Sequence, residues 1–407
     1  MKFSIVIPTL DRADVLPWAI NSCLNQLGNH EFEIVVSDNF SEDNTHATVE
    51  SFADSRLVYT RTDRRLSMSG NWNHAYGHVT GDIVMYLGDD DILSPHAFNI
   101  ANQLFDTENI SAISRLTGYY YTPECQSPRA GFLVLPCIDG TYELRNSLAV
   151  LRRVAAFTEH YGQLPLLYHG FVKRNVLDRL LQHGLLFRKA APDIFSDINI
   201  GSLGIDYAYV RYPLTLGVAS PKSNGLNFES RSKLGEEFAA SSIAEFQHSY
   251  PLDPIPLHVL DCLEEIHRAT HAAWDIDHNN CYVESMKVAT AQAVKAALPF
   301  LMKLSGKSPA EIWADWMIQR LRPRSLLKRV IGDSATFKLS CLRSGGWRSS
   351  SNSFFYFGDL RRRGILDPLK CLAFVEKKVR WTGRRVQTLA HSGAPKNQKG
   401  RREVAAS

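Results

Sequence analysis

Three adjacent acids, Asp89, Asp90 and Asp91, follow directly on the apolar run Ile83-Val84-Met85-Tyr86-Leu87 and one glycine, Gly88. Carboxylates so close repel one another. A divalent cation relieves that repulsion, and Mg2+ or Mn2+ prefers carboxylate oxygens together with substrate phosphates and water. The competing reading is a solvated acidic turn that caps the helix after Ser94-Pro95, since acids favour helix N-termini. A second apolar run, Glu33-Ile34-Val35-Val36-Ser37, ends in Asp38 and a polar turn. An acid at a strand end can accept hydrogen bonds from a base or ribose; an ordinary turn with Ser41 or Asp43 as helix cap is the alternative. A third run, Ile5-Val6-Ile7, enters the loop Pro8-Thr9-Leu10-Asp11-Arg12.

Elements of alternating period position these acids. Strand patterns over 3–7, 33–36, 57–60 and 82–87 alternate with helix-period stretches after Ala13, Asp43, Gly70 and Pro95. That βαβα series predicts an α/β fold whose mainly parallel sheet carries helices on both faces, with ligands bound beyond the strands' carboxyl ends. Further on, the pattern predicts strands over 110–116, 207–212 and 215–218, and helices over 143–157, 173–183 and 192–203. Residues 1–230 are read as this first domain. Helix patterns at 236–250, 257–274, 282–304 and 309–321 make 231–322 a helical region, and 323–407 reads as a basic tail, partly disordered by composition.

The 407 residues are 44% hydrophobic and 22% charged, which is ordinary for globular chains and excludes fibrous and wholly disordered classes. Charge is unevenly spread: 322–407 holds 20 Lys or Arg against 5 Asp or Glu, whereas the remainder holds 26 against 37. An acidic body suits a site that collects divalent cations, and a basic tail suits phosphate, with anionic lipid the favoured partner. Nucleic acid is the weaker candidate, because no zinc-finger spacing, RNA-binding aromatic signature or repeated basic recognition helix is present. Seven scattered cysteines form no metal knuckle or redox pair, which fits a reducing compartment. With no signal-like or spanning apolar run, the expectation is a cytoplasmic protein, peripheral on the inner face of the cell membrane if the tail binds lipid.

The strand Ser4-Ile5-Val6-Ile7-Pro8-Thr9, Asp38 in its Val-Ser-Asp-Asn turn, Asn73 ahead of Thr80-Gly81-Asp82, and the acidic triplet occur in an order that resembles family 2 of the inverting glycosyltransferases, which have the GT-A (Rossmann-like) fold. The likeness is close over residues 3–105 and looser over 165–225. It implies a nucleotide-diphospho-sugar donor and a glycan or lipid-linked acceptor. Pro8, Thr9 and Asp11 would line the nucleotide pocket, Asp38 would hold uracil or ribose, and Asn73 would lie near the donor. Asp89 and Asp91 would fill the acidic places of the Asp-x-Asp motif, Asp91 first as ligand to Mn2+ or Mg2+, with Asp90 beside them in the donor site. Many members carry an acid where this chain has Gly88, which gives the motif another frame. Arg64 or Arg65 would meet phosphate, or both are simply solvated.

Inverting transfer also needs a general base, which the resemblance puts well downstream of the triplet. Asp193 follows Pro192 at a helix start, and Asp197 lies one turn on along the same face. Asp193 is the first candidate and Asp197 the second; a plain N-cap is the alternative for Asp193. His169 is open to two readings, a contact to acceptor hydroxyls or a structural histidine. Two other functions compete. A nucleotidyltransferase would be expected to carry a Gly-rich phosphate loop, which the N-terminus lacks, and a binding scaffold would have kept the fold without the transfer.

Overall fold

The computed structural model describes residues 1–223 (except 116, 126, 128, 183 and 185), 248–320 (except 252 and 271–273), 348–350 and 353–386 (except 378). The chain opens with β1 (Lys2–Thr9), α1 (Leu16–Leu24), β2 (Glu31–Asp38), α2 (Thr45–Glu50), β3 (Leu57–Arg61), α3 (Met68–Tyr76) and β4 (Ile83–Tyr86). Strand β1 pairs in parallel with both β2 and β4, and β2 with β3. These strands are apolar on both faces. Phe3, Ile5, Ile7, Ile34, Val36 and Met85 join one core with Leu16 and Ile20 of α1, while Val6, Val35, Val84 and Tyr86 join another with Trp72 and Ala75 of α3. The two-residue period of a strand sends alternate side chains into opposite layers, so a strand covered on both sides reads as one continuous hydrophobic run.

Next come β5 (Ile92–Leu93), α4 (Ala97–Thr107), β6 (Ala112–Arg115), β7 (Gly118–Tyr121), β8 (Phe132–Ile138), β9 (Thr141–Asn146), α5 (Ser147–Ala155), β10 (Phe171–Lys173), α6 (Arg174–Leu181), α7 (Pro192–Ser202), β11 (Asp206–Val210) and β12 (Thr215–Ala219). The helical region follows as α8 (Ile255–Thr270), α9 (His278–Val288), α10 (Ala291–Ser305) and α11 (Pro309–Arg320). Strands β13 (Arg348–Ser350) and β14 (Ser353–Asp359), helix α12 (Pro368–Glu376) and β15 (Arg384–Arg385) complete the described elements. The larger sheet runs β15-β9-β11-β6-β10-β4-β1-β2-β3, mostly parallel, and the smaller β13-β14-β8-β7-β12-β5. This is the α/β architecture the sequence predicts, with a helical region after it.

Three details differ from expectation. Residues 143–146 extend a strand paired with β11 instead of starting a helix, and Asn146 caps α5 by accepting from the Ala149 amide. The helix expected over 282–304 is two helices, because Ala289 is extended and Thr290 caps α10 through the Ala293 amide. Of the stretch read as a basic tail, 353–386 is largely built into the fold: β14 pairs with β8, and Leu360, Cys371 and Val375 lie in the core of the first domain. The helix expected at 236–250 falls mainly on residues outside those described. Helix α8 contributes Leu257 and Leu260 to the helical core and Val259, Cys262 and Leu263 to the sheet domain's core, which fastens the two together. No described helix is long and apolar enough to cross a membrane.

Candidate active site

Parallel pairing brings the three sequence signals to one edge. Register places Thr9 beside Asp38 and Asp38 beside Arg61, and the Asn39 amide donates to the Thr9 carbonyl at 2.9 Å. Strand β4 lies on the other side of β1, so the triplet emerges next to the loop that follows Thr9. Pro8 is half-buried within β1, and the buried Thr9 hydroxyl has no hydrogen-bond partner among the described residues.

Asp38 is buried and engaged at both oxygens, accepting from the Ser41 amide at 2.8 Å and the Tyr59 hydroxyl at 2.6 Å. Asp11, in the left-handed region at φ 53°, accepts from the Glu42 amide at 2.7 Å and from Arg65 at 2.5 Å. These bonds lace the loop after β1 to the loop after β2. Arg64 points into solvent beside Asp63. Asn73 lies within α3 and spends its amide on the carbonyls of Ser69 and Phe187 while accepting from the Phe187 amide. Asn73 thus staples α3 to the chain ahead of Asp193.

The triplet divides into three environments. Asp89 accepts from the Arg12 guanidinium at 2.7 Å, which also lies 3.8 Å from Asp90. Asp90 accepts on one oxygen from Ser220 at 3.0 Å and Ser223 at 2.6 Å; burial first, then the Asp91 charge, push it up to about 7. Asp91 accepts from Tyr168 and from His169 Nε2, both at 2.7 Å, on one oxygen, and from the Val218 amide at 2.8 Å on the other. Burial would raise its carboxyl, but His169 and Tyr168 outweigh that and hold it below the usual range. Both Asp91 oxygens thus accept hydrogen bonds from the protein, two on one oxygen and one on the other. Among the described residues, the second oxygens of Asp89 and Asp90 carry no hydrogen bond.

His169 is 3% exposed, sits at φ 68°, and uses Nε2 on Asp91 and Nδ1 on the Thr215 hydroxyl, the contacts expected of a structural histidine. Burial lowers its pKa, and a neutral ring with its proton on Nε2 fits both contacts.

Asp193 is half-buried in the first turn of α7. Burial raises its pKa. Asp197, one turn later, is buried and accepts from the Leu167 amide at 3.1 Å; burial, then the charge of Asp193, push it well above the carboxylate range. Burial first, then the charges of Asp91, Asp90 and Asp193, raise the Tyr168 hydroxyl well above its usual pKa.

Residue types alone missed Arg12, Arg115, Tyr168, Ser220 and Ser223. Arg115 is buried, donates to the His169 carbonyl at 3.2 Å, and is lowered to about 10 by burial, which leaves it cationic. A cation inside a predicted strand was the available signal for Arg115, and a cation at the tip of β1 for Arg12.

Residues 4–131 match the model of the family described as Glycosyl transferase family 2. An uncharacterized glycosyltransferase, YfnE, of Bacillus subtilis is 36% identical over 95 residues, 23% of this chain and 24% of that one. A GalNAc(5)-diNAcBac-PP-undecaprenol beta-1,3-glucosyltransferase of Campylobacter jejuni is 33% identical over 105 residues, 25% of this chain and 34% of that one. The matches thus span about a quarter to a third of these relatives' length. Among solved structures, Staphylococcus aureus TarS 1-349 aligns with TM-score 0.42 at 15% identity, covering 87% of this chain and 96% of that one.

Proposed function

We propose, on the match of residues 4–131 to the family 2 glycosyltransferases, that the chain moves a sugar from a nucleotide diphosphate, UDP-linked in our reading, to a hydroxyl of a glycan or lipid-linked acceptor with inversion. The reading is supported above all by the meeting of Thr9, Asp38 and the acidic triplet at one edge of the parallel sheet, where Tyr168 donates to Asp91. Thr9, Asp11 and Asp38 line the nucleotide end. The free oxygens of Asp89 and Asp90 suit Mn2+ or Mg2+, which when bound neutralises charge on the diphosphate leaving group. Arg12 supplies a fixed positive charge at the same place.

Asp193, ionised, takes the acceptor hydroxyl proton as the new bond to the anomeric carbon forms and the diphosphate departs on the opposite face. Its raised pKa brings it closer to the pH at which a base is both ionised and strong enough to be useful. Asp197, buried, positions the 165–168 segment through the Leu167 amide. The Campylobacter relative is named for an undecaprenol-diphosphate acceptor, which supports a lipid-linked substrate in cell-surface polysaccharide synthesis.

A panel of nucleotide sugars, screened for hydrolysis with Mn2+ present and for calorimetric binding, tests the proposal without an acceptor. Saturable binding of one donor with slow hydrolysis is expected. Binding without hydrolysis or transfer would favour an inactive scaffold, and no binding of any nucleotide would sink both readings.

A further inference from the structure

A second cluster of ligand-type side chains lies away from the strand ends. His248, His258 and Asp261 bring ligand atoms within 4.8 Å of one another. Asp261 is held by the Ser249 amide at 2.9 Å on one oxygen, and on the other by His248 Nδ1 at 3.0 Å and Lys189 Nζ at 3.1 Å. Lys189 also pairs with Glu265 at 2.7 Å, and Glu265 with Arg188 at 3.0 Å, so the two carboxylates of the nest are matched by two cations.

The imidazoles carry the argument. His258 is 3% exposed, and both of its ring nitrogens, with Nε2 of His248, are buried without a hydrogen-bond partner among the described residues. A neutral imidazole needs one donor and one acceptor partner, and burying it with neither is costly. A cation accepting the lone pair of one His258 nitrogen relieves part of that cost.

We propose that His248, His258 and Asp261 hold one divalent transition-metal ion of the Zn2+ class. Imidazole with carboxylate suits Zn2+, Co2+ or Ni2+, whereas Mg2+ and Ca2+ favour oxygen alone. Bonds of about 2.0–2.1 Å in a tetrahedron set neighbouring ligand atoms roughly 3.3 Å apart. His248 Nδ1 and Asp261 already stand near that spacing, and the proton between them leaves Nδ1 when the ion binds. Ser249 and Lys189 orient the carboxylate from outside. The ion would fasten the chain at His248 to α8, whose Asp261 pairs with Lys189; the Lys189 carbonyl accepts from Ser69 at 2.7 Å, and the residue stands four before Asp193.

The full chain, freed of metal, is titrated with Co2+ under excess Mg2+, which occupies oxygen-only sites. One equivalent giving the intense visible absorption of tetrahedral cobalt is expected, retained in a D89N/D90N variant and lost in H258Q. H248Q gives the same reading should H258Q not fold. Absence of that spectrum in the wild-type chain overturns the proposal, as does its persistence in a folded H258Q or H248Q.

Discussion

The guanidinium of Arg12 donates to Asp89 at 2.7 Å from the tip of β1, with the serines of the turn after β12 closing on Asp90 from the other side. All three acids therefore have partners before any ion arrives, and those of Asp89 and Asp90 come from opposite ends of the first domain. Replacing Arg12 by Ala leaves Asp89 nearly buried without its cation, and breaking such a pair costs about 3–5 kcal/mol. The expected outcome is a marked fall in Tm of the metal-free protein, partly restored by Mn2+. Scanning calorimetry with and without the ion checks it, and an unchanged Tm would show that Arg12 does not carry this load.

Asp91 and Asp90 separate by role. Asp91→Ala strips acceptors from Tyr168, His169 and the Val218 amide, so it should destabilise the fold. Each lost bond to the charged group is worth about 1.5–3 kcal/mol. Asp90→Asn keeps the shape and should spare Tm while weakening Mn2+-dependent nucleoside diphosphate binding. Denaturant melts alongside calorimetric titration of both variants distinguish the two; equal losses of binding at equal stability would mark Asp91 as a ligand.

Gly88 is explained by the same network. A Cβ there would meet the Tyr168 hydroxyl at 2.6 Å and collide with the Asp91 carboxylate. Gly88→Ala should cost about 1–3 kcal/mol through overpacking, and Gly88→Asp more, because a further carboxylate faces Asp91. Urea unfolding of both variants measures this, and a stable Gly88→Asp protein would mean that the network rearranges.

Asp193 and Asp197 should respond oppositely to amidation. Asp193→Asn removes the proposed base, which is expected to lower the transfer rate about 10²–10⁴-fold. Because burial raises Asp193, the wild-type rate should fall with decreasing pH at a higher pH than an ordinary carboxylate would dictate. Asp197→Asn mimics a neutral acid and keeps an acceptor for the Leu167 amide, so the rate should hardly change. The linkage runs the other way from the usual carboxylate. A folded pKa above the unfolded value of 3.8 means that Asp197 favours folding fully below 3.8 and loses that contribution as pH rises to its folded value. Asp197→Asn should therefore flatten the decline of stability with pH. Rate and melting profiles across pH test both halves.

Strand ends were the legible part of this molecule. Apolar runs ending in Thr9, Asp38 and Asp89 could be read because one continuous hydrophobic stretch reports a strand buried on both faces. What those ends touch could not, since Arg12, Tyr168 and the pair Val218 and Ser220 come from three distant stretches of chain and their pairing is decided by the sheet order. The same limit hid the occupation of both Asp91 oxygens, for residue type marks an acid without marking its donors. Residues 143–146 were misread because Glu143, Leu144 and Arg145 suit a helix by propensity, yet pairing with β11 overrides it. The C-terminal segment was misjudged by charge, which described Arg361, Arg363, Arg384 and Arg385 and concealed the apolar face of α12.

That face bears on how membrane attachment can be tested. Deleting 348–407 removes β14, which pairs with β8, and Leu360, Cys371, Leu372, Val375 and Val379, all buried. Each large apolar side chain contributes about 1.5–3 kcal/mol, against a total stability of about 5–15 kcal/mol. The truncated chain is expected to lose cooperative unfolding, so its failure to bind liposomes would say nothing about charge. Arg384 and Arg385 are exposed on the edge strand β15, where only a 3.7 Å contact of Arg385 with Glu108 is at stake. Arg384→Gln with Arg385→Gln should leave Tm nearly unchanged. If the basic segment meets an anionic bilayer, two lost charges at about 1 kcal/mol each weaken co-sedimentation with phosphatidylserine vesicles about 30-fold. Co-sedimentation equal to wild type at low salt would exclude these two arginines from the contact.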